Sequence, residues 1–181
     1  MGALLERLEG LSVEARSPDG RVGVEARGKY QVAVWFAAGA YRSYTEVDLA
    51  RQLEQLASVV WVRYRREYTE IMAAFMNEPP PELDSDDHLF QQRLEEMTVT
   101  GRSADRWVTV SSRALVRWEF RISGGALRAL DEAGFLTELN SAVTAVLRDY
   151  QSQLILLTDQ IYDIGLPRSA RQSADGQRRA G

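Results

Sequence analysis

The sequence predicts an α+β fold built from two tandem units. Each unit is a helix, a three-stranded antiparallel sheet and a long helix, and the two pack as an intramolecular pseudo-dimer. Three observations carry this. Shifted by 86 positions, residues 3–77 align with residues 89–163 without a gap, and about 17 of roughly 75 positions are identical. Average composition gives roughly one in sixteen by chance, so the repeat is read as a duplication. Within each copy, short stretches alternate apolar and polar residues between turn-forming residues. Each copy then ends in one apolar stripe at helical steps of three and four.

The first unit opens with a short helix over residues 3–9. A strand follows at 11–16, with Leu11, Val13 and Ala15 on one face. Ser17, Pro18, Asp19 and Gly20 are turn chemistry, proline presetting φ and glycine accepting φ > 0. The second strand spans 21–26 and alternates Val22, Val24 and Ala26. After Arg27 and Gly28 a third strand spans 29–36, with Tyr30, Val32, Val34 and Phe36 on one face. Tight turns between the three make an antiparallel meander. Thr45 is placed to cap a long helix, with Glu46 and Asp48 in its first turn suited to the dipole. Its stripe is Leu53, Ala57, Val60, Tyr64, Tyr68, Ile71 and Phe75. The prolines at 79–81 stop it. Ser85 is expected to cap the next helix, and strands near 97–102, 107–112 and 114–123 lead to a helix near 131–163.

The expected division is unit one over 1–77, an acidic proline-rich linker over 78–85, unit two over 86–166 and a disordered basic tail over 167–181. The formal net charge is −4, but residues 78–96 alone carry −6, leaving +2 elsewhere. There is no global basic signal for nucleic acid, and the folded parts are near neutral. The absence of cysteine excludes disulfides and thiolate chemistry. No signal peptide and no membrane-spanning stretch is evident, so a cytoplasmic protein is expected. One unit of this size cannot easily bury enough surface alone, so two share a core. The apolar run Leu154, Ile155, Leu156 and Leu157 has no counterpart in the first long helix. It is either more deeply buried or a contact surface, with Ile155 and Leu156 as its candidates.

The run from Ser17 to Phe36, the glycine-centred loop from Ala38 to Tyr44 and the helix from Asp48 resemble the YbaB/EbfC nucleoid-associated family. The matching positions are Ser17, Asp19, Gly20, Val22, Val24, Gly28, Val32 and Val34. Unit two departs from the pattern, with Arg106 and Ala114 where the two glycines stand. The resemblance implies a cytoplasmic, nucleoid-located bacterial protein that dimerises and binds DNA with little sequence preference. Divergent relatives occur in actinobacteria among proteins associated with type VII secretion, which makes a protein-binding adaptor or chaperone-like scaffold the alternative.

Enzyme chemistry has little support in the residues. The single histidine, His88, sits in an acidic helix start and would need further convergent ligands to hold a metal. Gly20, Gly23 and Gly28 are hairpin glycines, not a dinucleotide fingerprint. No catalytic, metal or cofactor site is expected, and no small-molecule substrate. The candidates for DNA are arginines: Arg51, Arg63, Arg65, Arg66 and Arg148 on the long helices, with Arg168, Arg171, Arg178 and Arg179 in the tail. They would contact phosphates without reading bases. Glu67 and Glu70 lie within helical reach and offer those helix arginines a purely local partner. Arg42 and Arg128 occupy equivalent positions and read as structural. Trp35, Trp61, Trp107 and Trp118 read as core or unit–unit packing.

Overall fold

The computed structural model describes residues 2–28, 31–75 and 84–162. The first unit runs through α1 (Gly2–Glu9), β1 (Ser12–Arg16), β2 (Val22–Arg27), β3 (Gln31–Phe36), a 3-10 turn (Tyr41–Ser43) and α2 (Glu46–Phe75). The second runs through α3 (Ser85–Glu96), β4 (Thr98–Arg102), β5 (Val108–Arg113), β6 (Arg117–Ile122), the short α4 (Ala126–Ala129) and α5 (Glu132–Tyr162). Every strand of the second unit starts and stops 86 positions after its counterpart. The register repeats too: Ser12 faces Arg27 as Thr98 faces Arg113, and Val24 faces Val34 as Val110 faces Phe120. The expected pair of helix–sheet–helix units is the observed one, with both sheets antiparallel meanders.

The shared turn has a physical basis. Ser17 is buried, and its Oγ accepts the Val22 N–H at 2.9 Å; Ser103 does the same for Val108 at 3.0 Å. The two glycines that unit two lacks are left-handed in unit one, Gly20 at φ 72° and Gly28 at φ 50°. Arg106 and Ala114 adopt the same sign at 61° and 54°. The duplicated backbone is therefore kept where its glycines are gone, at a conformational cost of about 1–2 kcal/mol per residue.

One cap differs from expectation. Asp84, not Ser85, is the N-cap of α3: its carboxylate accepts the N–H groups of Asp86 and Asp87, both at 2.9 Å, and Asp87 accepts the Asp84 N–H in return. A carboxylate takes two of the orphan donors at once and suits the positive end of the helix. Thr45 does cap α2, its Oγ1 accepting the Asp48 N–H at 3.2 Å. Tyr30, residues 79–81 and the tail lie outside the described residues.

One continuous core joins the two units. Val22, Val24 and Phe36 of the first sheet, Leu49, Leu53 and Leu56 of α2, Val108, Val110 and Phe120 of the second sheet, and Phe135, Leu139 and Val146 of α5 belong to it. Phe36, Tyr41 and Phe135 form an aromatic cluster across the junction, and the Tyr41 hydroxyl donates to the Leu130 carbonyl at 3.0 Å. The apolar stripe of α2 is buried only in its N-terminal half: Tyr68 and Phe75 are both 41% exposed.

The helices do not sit symmetrically. α2 packs along the length of β6, whereas α5 meets β3 over a smaller patch and lies chiefly on β4. Glu54 of α2 accepts the Phe120 N–H at 3.1 Å, and Ser58 donates to the Val116 carbonyl at 3.3 Å, so α2 closes the open edge of the second sheet. On the other side Asn140 stands where Glu54 would. Gly101 explains the seat of α5. A Cβ there would lie 2.3 Å from the Ala142 carbonyl oxygen and 2.5 Å from the Val146 nitrogen. Its counterpart is Ala15, and α2 lies against β1 over a smaller patch than α5 does against β4.

Candidate nucleic-acid interface

Strand alternation sends half the residues of each sheet into the core and half outward. The outer face of the first sheet carries Glu14, Arg16, Glu25 and Arg27 and is balanced in charge. Trp35 lies on this outer face, its indole over Gly23, where an added Cβ would be 2.2 Å away. It is thus an outward packing residue rather than part of the core, while Trp61, Trp107 and Trp118 do pack against the core.

The outer face of the second sheet is different. Its rows are Arg102–Thr109–Arg121, Thr100–Ser111–Glu119 and Thr98–Arg113–Arg117. Four arginines face one glutamate, and all four are exposed. Arg121 pairs with Glu119 at 2.7 Å, and Arg113 Nε donates to the Glu95 carbonyl at 3.2 Å. The guanidinium groups of Arg102 and Arg117 make no hydrogen bond or ion pair among the described residues. The hydroxyls of Thr100 and Ser111 lie between the two basic rows, and Thr109 and Thr98 stand within those rows.

The arginines expected on the helices are dispersed. Arg51, Arg63, Arg65, Arg66 and Arg148 are all exposed. Arg66 is held by Glu70 at 2.9 Å, one turn on, and the pairing raises its pKa through that hydrogen bond and charge. Arg63 donates to the Glu14 carbonyl at 2.7 Å and fastens α2 to β1. The guanidinium groups of Arg51, Arg65 and Arg148 have no partner among the described residues. Val47 and Val62 share the exposed side of α2, at 68% and 61% exposure, and interrupt its charge. The tail arginines Arg168, Arg171, Arg178 and Arg179 lie outside the described residues.

Arg42 and Arg128 are brought together at the junction of the units. They line one cleft with Tyr41, Tyr44, Glu46 and Leu127. The Glu46 carboxylate accepts the N–H groups of Gly125 at 2.9 Å and Leu127 at 3.4 Å, capping α4 from the other unit. Its own backbone N–H, those two donors and the Arg128 charge outweigh burial and hold its carboxyl below the usual range. At the first turn, burial pushes Asp19 up. Hydrogen bonds from the Ser17 and Tyr44 hydroxyls and the Arg21 N–H outweigh it and bring the carboxyl below its ordinary value.

The apolar run of α5 is divided. Leu157 is buried, Leu156 half-buried and Ile155 50% exposed. Beside it the Tyr162 hydroxyl donates to Asp87 at 2.6 Å, which pushes the phenol up to about 12. His88 is exposed on α3. Comparison of the chain with protein-family models, with curated proteins and with solved structures found no match. No described helix is long and apolar enough to cross a membrane.

Proposed function

We propose that the chain is a non-enzymatic, nucleoid-associated DNA-binding protein that contacts phosphates without reading bases. The observation that supports this is the outer face of the second sheet, with four exposed arginines against one glutamate. Residues two apart on a strand are about 6.8 Å apart, so its basic rows are separated by roughly 13 Å. That matches the width of the DNA major groove, about 12 Å, and lets both phosphate rims be touched at once. Arg51, Arg65 and Arg148 add exposed charge on the helices. The resemblance of the first unit to the YbaB/EbfC family points the same way.

A salt titration of binding to random duplex DNA tests the reading. Each phosphate contact adds about 0.9 to the salt slope. The double variant Arg102→Ala, Arg117→Ala is expected to lower the slope by about 2 in a chain ending at Pro167, and Arg51→Ala with Arg65→Ala by less. An unaltered slope in the sheet variant, or no binding at low salt, overturns it. The second reading is a protein-binding scaffold, favoured by Ile155 and by the exposed Val47 and Val62. It takes over if DNA is not bound and Ile155→Asp abolishes capture of a specific partner.

A further inference from the structure

The two sheets keep one register, so each outer position of the second sheet has a counterpart in the first. Two positions keep their charge: Arg16 matches Arg102, and Arg27 matches Arg113. Others change it. Glu14 and Glu25 stand where the second sheet has Thr100 and Ser111, and Gln31 and Trp35 stand where it has Arg117 and Arg121. In the opposite sense, Ala33 stands where it has Glu119. The first face thus carries two arginines against two glutamates, and the second carries four arginines against one. The first face is also closed on itself. Glu25 accepts from Arg27 at 2.6 Å and from the Ser12 hydroxyl at 2.7 Å, and the Trp35 indole covers Gly23.

We infer that one chain holds one DNA duplex, on the outer face of the second sheet, and that the first sheet turns DNA away through its own carboxylates. This rests on the reading of the second face as a phosphate-binding surface. Glu14 and Glu25 form the middle row of the first face, between the rows of Arg16 and Arg27. Neighbouring rows are about 6.8 Å apart. That is within the Debye length of about 8 Å at physiological ionic strength, so salt does not separate the charges. The two carboxylates cancel the pull of the two arginines on a phosphate. In the second sheet the same row carries the hydroxyls of Thr100 and Ser111, and its one acid, Glu119, is held by Arg121. A symmetric pair of units has two like faces and ties two duplexes together. This chain has one, so a single chain coats DNA without bridging it.

The whole chain is mixed with an excess of a labelled random duplex of about 12 base pairs, roughly 40 Å long. Sedimentation velocity at two wavelengths then gives duplexes per chain, a ratio that pairing of chains leaves unchanged. The expected ratio is one. Glu14→Thr, Glu25→Ser and Gln31→Arg together give the first face residues of the second, and are expected to raise the ratio to two. Glu14→Gln with Glu25→Gln removes both charges at little change of shape. It is expected to admit the second duplex more weakly, and it decides the matter if the triple variant does not fold. A ratio of two in the parent overturns the inference and leaves the phosphate-binding reading standing. A ratio of one that is not weakened by Arg102→Ala with Arg117→Ala puts the duplex on another face and overturns it as well. A ratio of one in the folded first-face variants overturns the role of the carboxylates. No duplex bound at low salt overturns the DNA reading and this inference with it.

Discussion

Gly101→Ala is the sharpest test of how the second long helix is seated. The new Cβ would meet the Ala142 carbonyl oxygen at 2.3 Å, the Val146 nitrogen at 2.5 Å and the Ala145 Cβ at 2.9 Å. Two of these three atoms belong to the helix backbone and cannot rotate away. Ordinary contact requires α5 to withdraw by about 1 Å from a close-packed interior. Overpacking of this kind costs about 1–3 kcal/mol, and a backbone clash belongs at the top of that range. About 3 kcal/mol in a chain of this length lowers Tm by roughly 6–12 °C. Thermal and urea denaturation followed by circular dichroism read the loss. Ala15→Gly is the control at the equivalent site: it removes a methyl with no clash to relieve, and should cost only about 1–2 kcal/mol. If Gly101→Ala is as stable as the parent, the account of how α5 rests on β4 is wrong.

Ala114→Gly relieves a left-handed alanine and should stabilise by about 0.5–1 kcal/mol, measured as a rise in the urea midpoint. Glu46 has a folded pKa below its unfolded value, so its contribution is complete above the unfolded pKa and is lost as pH falls through the folded one. Glu46→Gln should therefore flatten the decline in stability below about pH 4.5, seen by comparing denaturation midpoints from pH 7 to pH 3. Trp35→Ala bares Gly23 and the outer face of the first sheet, and should cost about 1–3 kcal/mol without altering the affinity for DNA.

The architecture was legible because it is written twice. Two independent segments agree on alternation, turn and stripe, and a strand seen weakly in one copy is seen clearly in the other. The two copies also carried their register, since Ser17 and Ser103 perform the same bond in both turns. The differences between the copies were harder to read. Gly101 against Ala15 is one methyl in the sequence, yet it decides how closely a helix approaches, which depends on a residue more than forty positions away. The choice between Asp84 and Ser85 as cap is a competition between adjacent residues, each able to do it. The basic sheet face was within reach of the alternation pattern. Arg102, Arg113, Arg117 and Arg121 belong to one side once the strands are registered, but a helical wheel groups residues of one element only. The same limit hid Arg63 in its bond to Glu14 and Trp35 in its place over Gly23, since both partners lie on another strand or helix.

The bonds from Glu54 and Ser58 to the edge of β6 bear on the order in which the chain is made. A ribosome completes α2 before it begins β6, so the last strand of the second sheet emerges to find its cover already present. The first sheet has no such advantage, for α5 arrives last of all. Severed at the linker, the second half would keep its three strands but present a bare row of peptide groups to its neighbours. Two such halves produced separately would precipitate or pair with themselves, and mixing them during refolding should recover the joined form. The linker thus acts as a timetable as well as a tether.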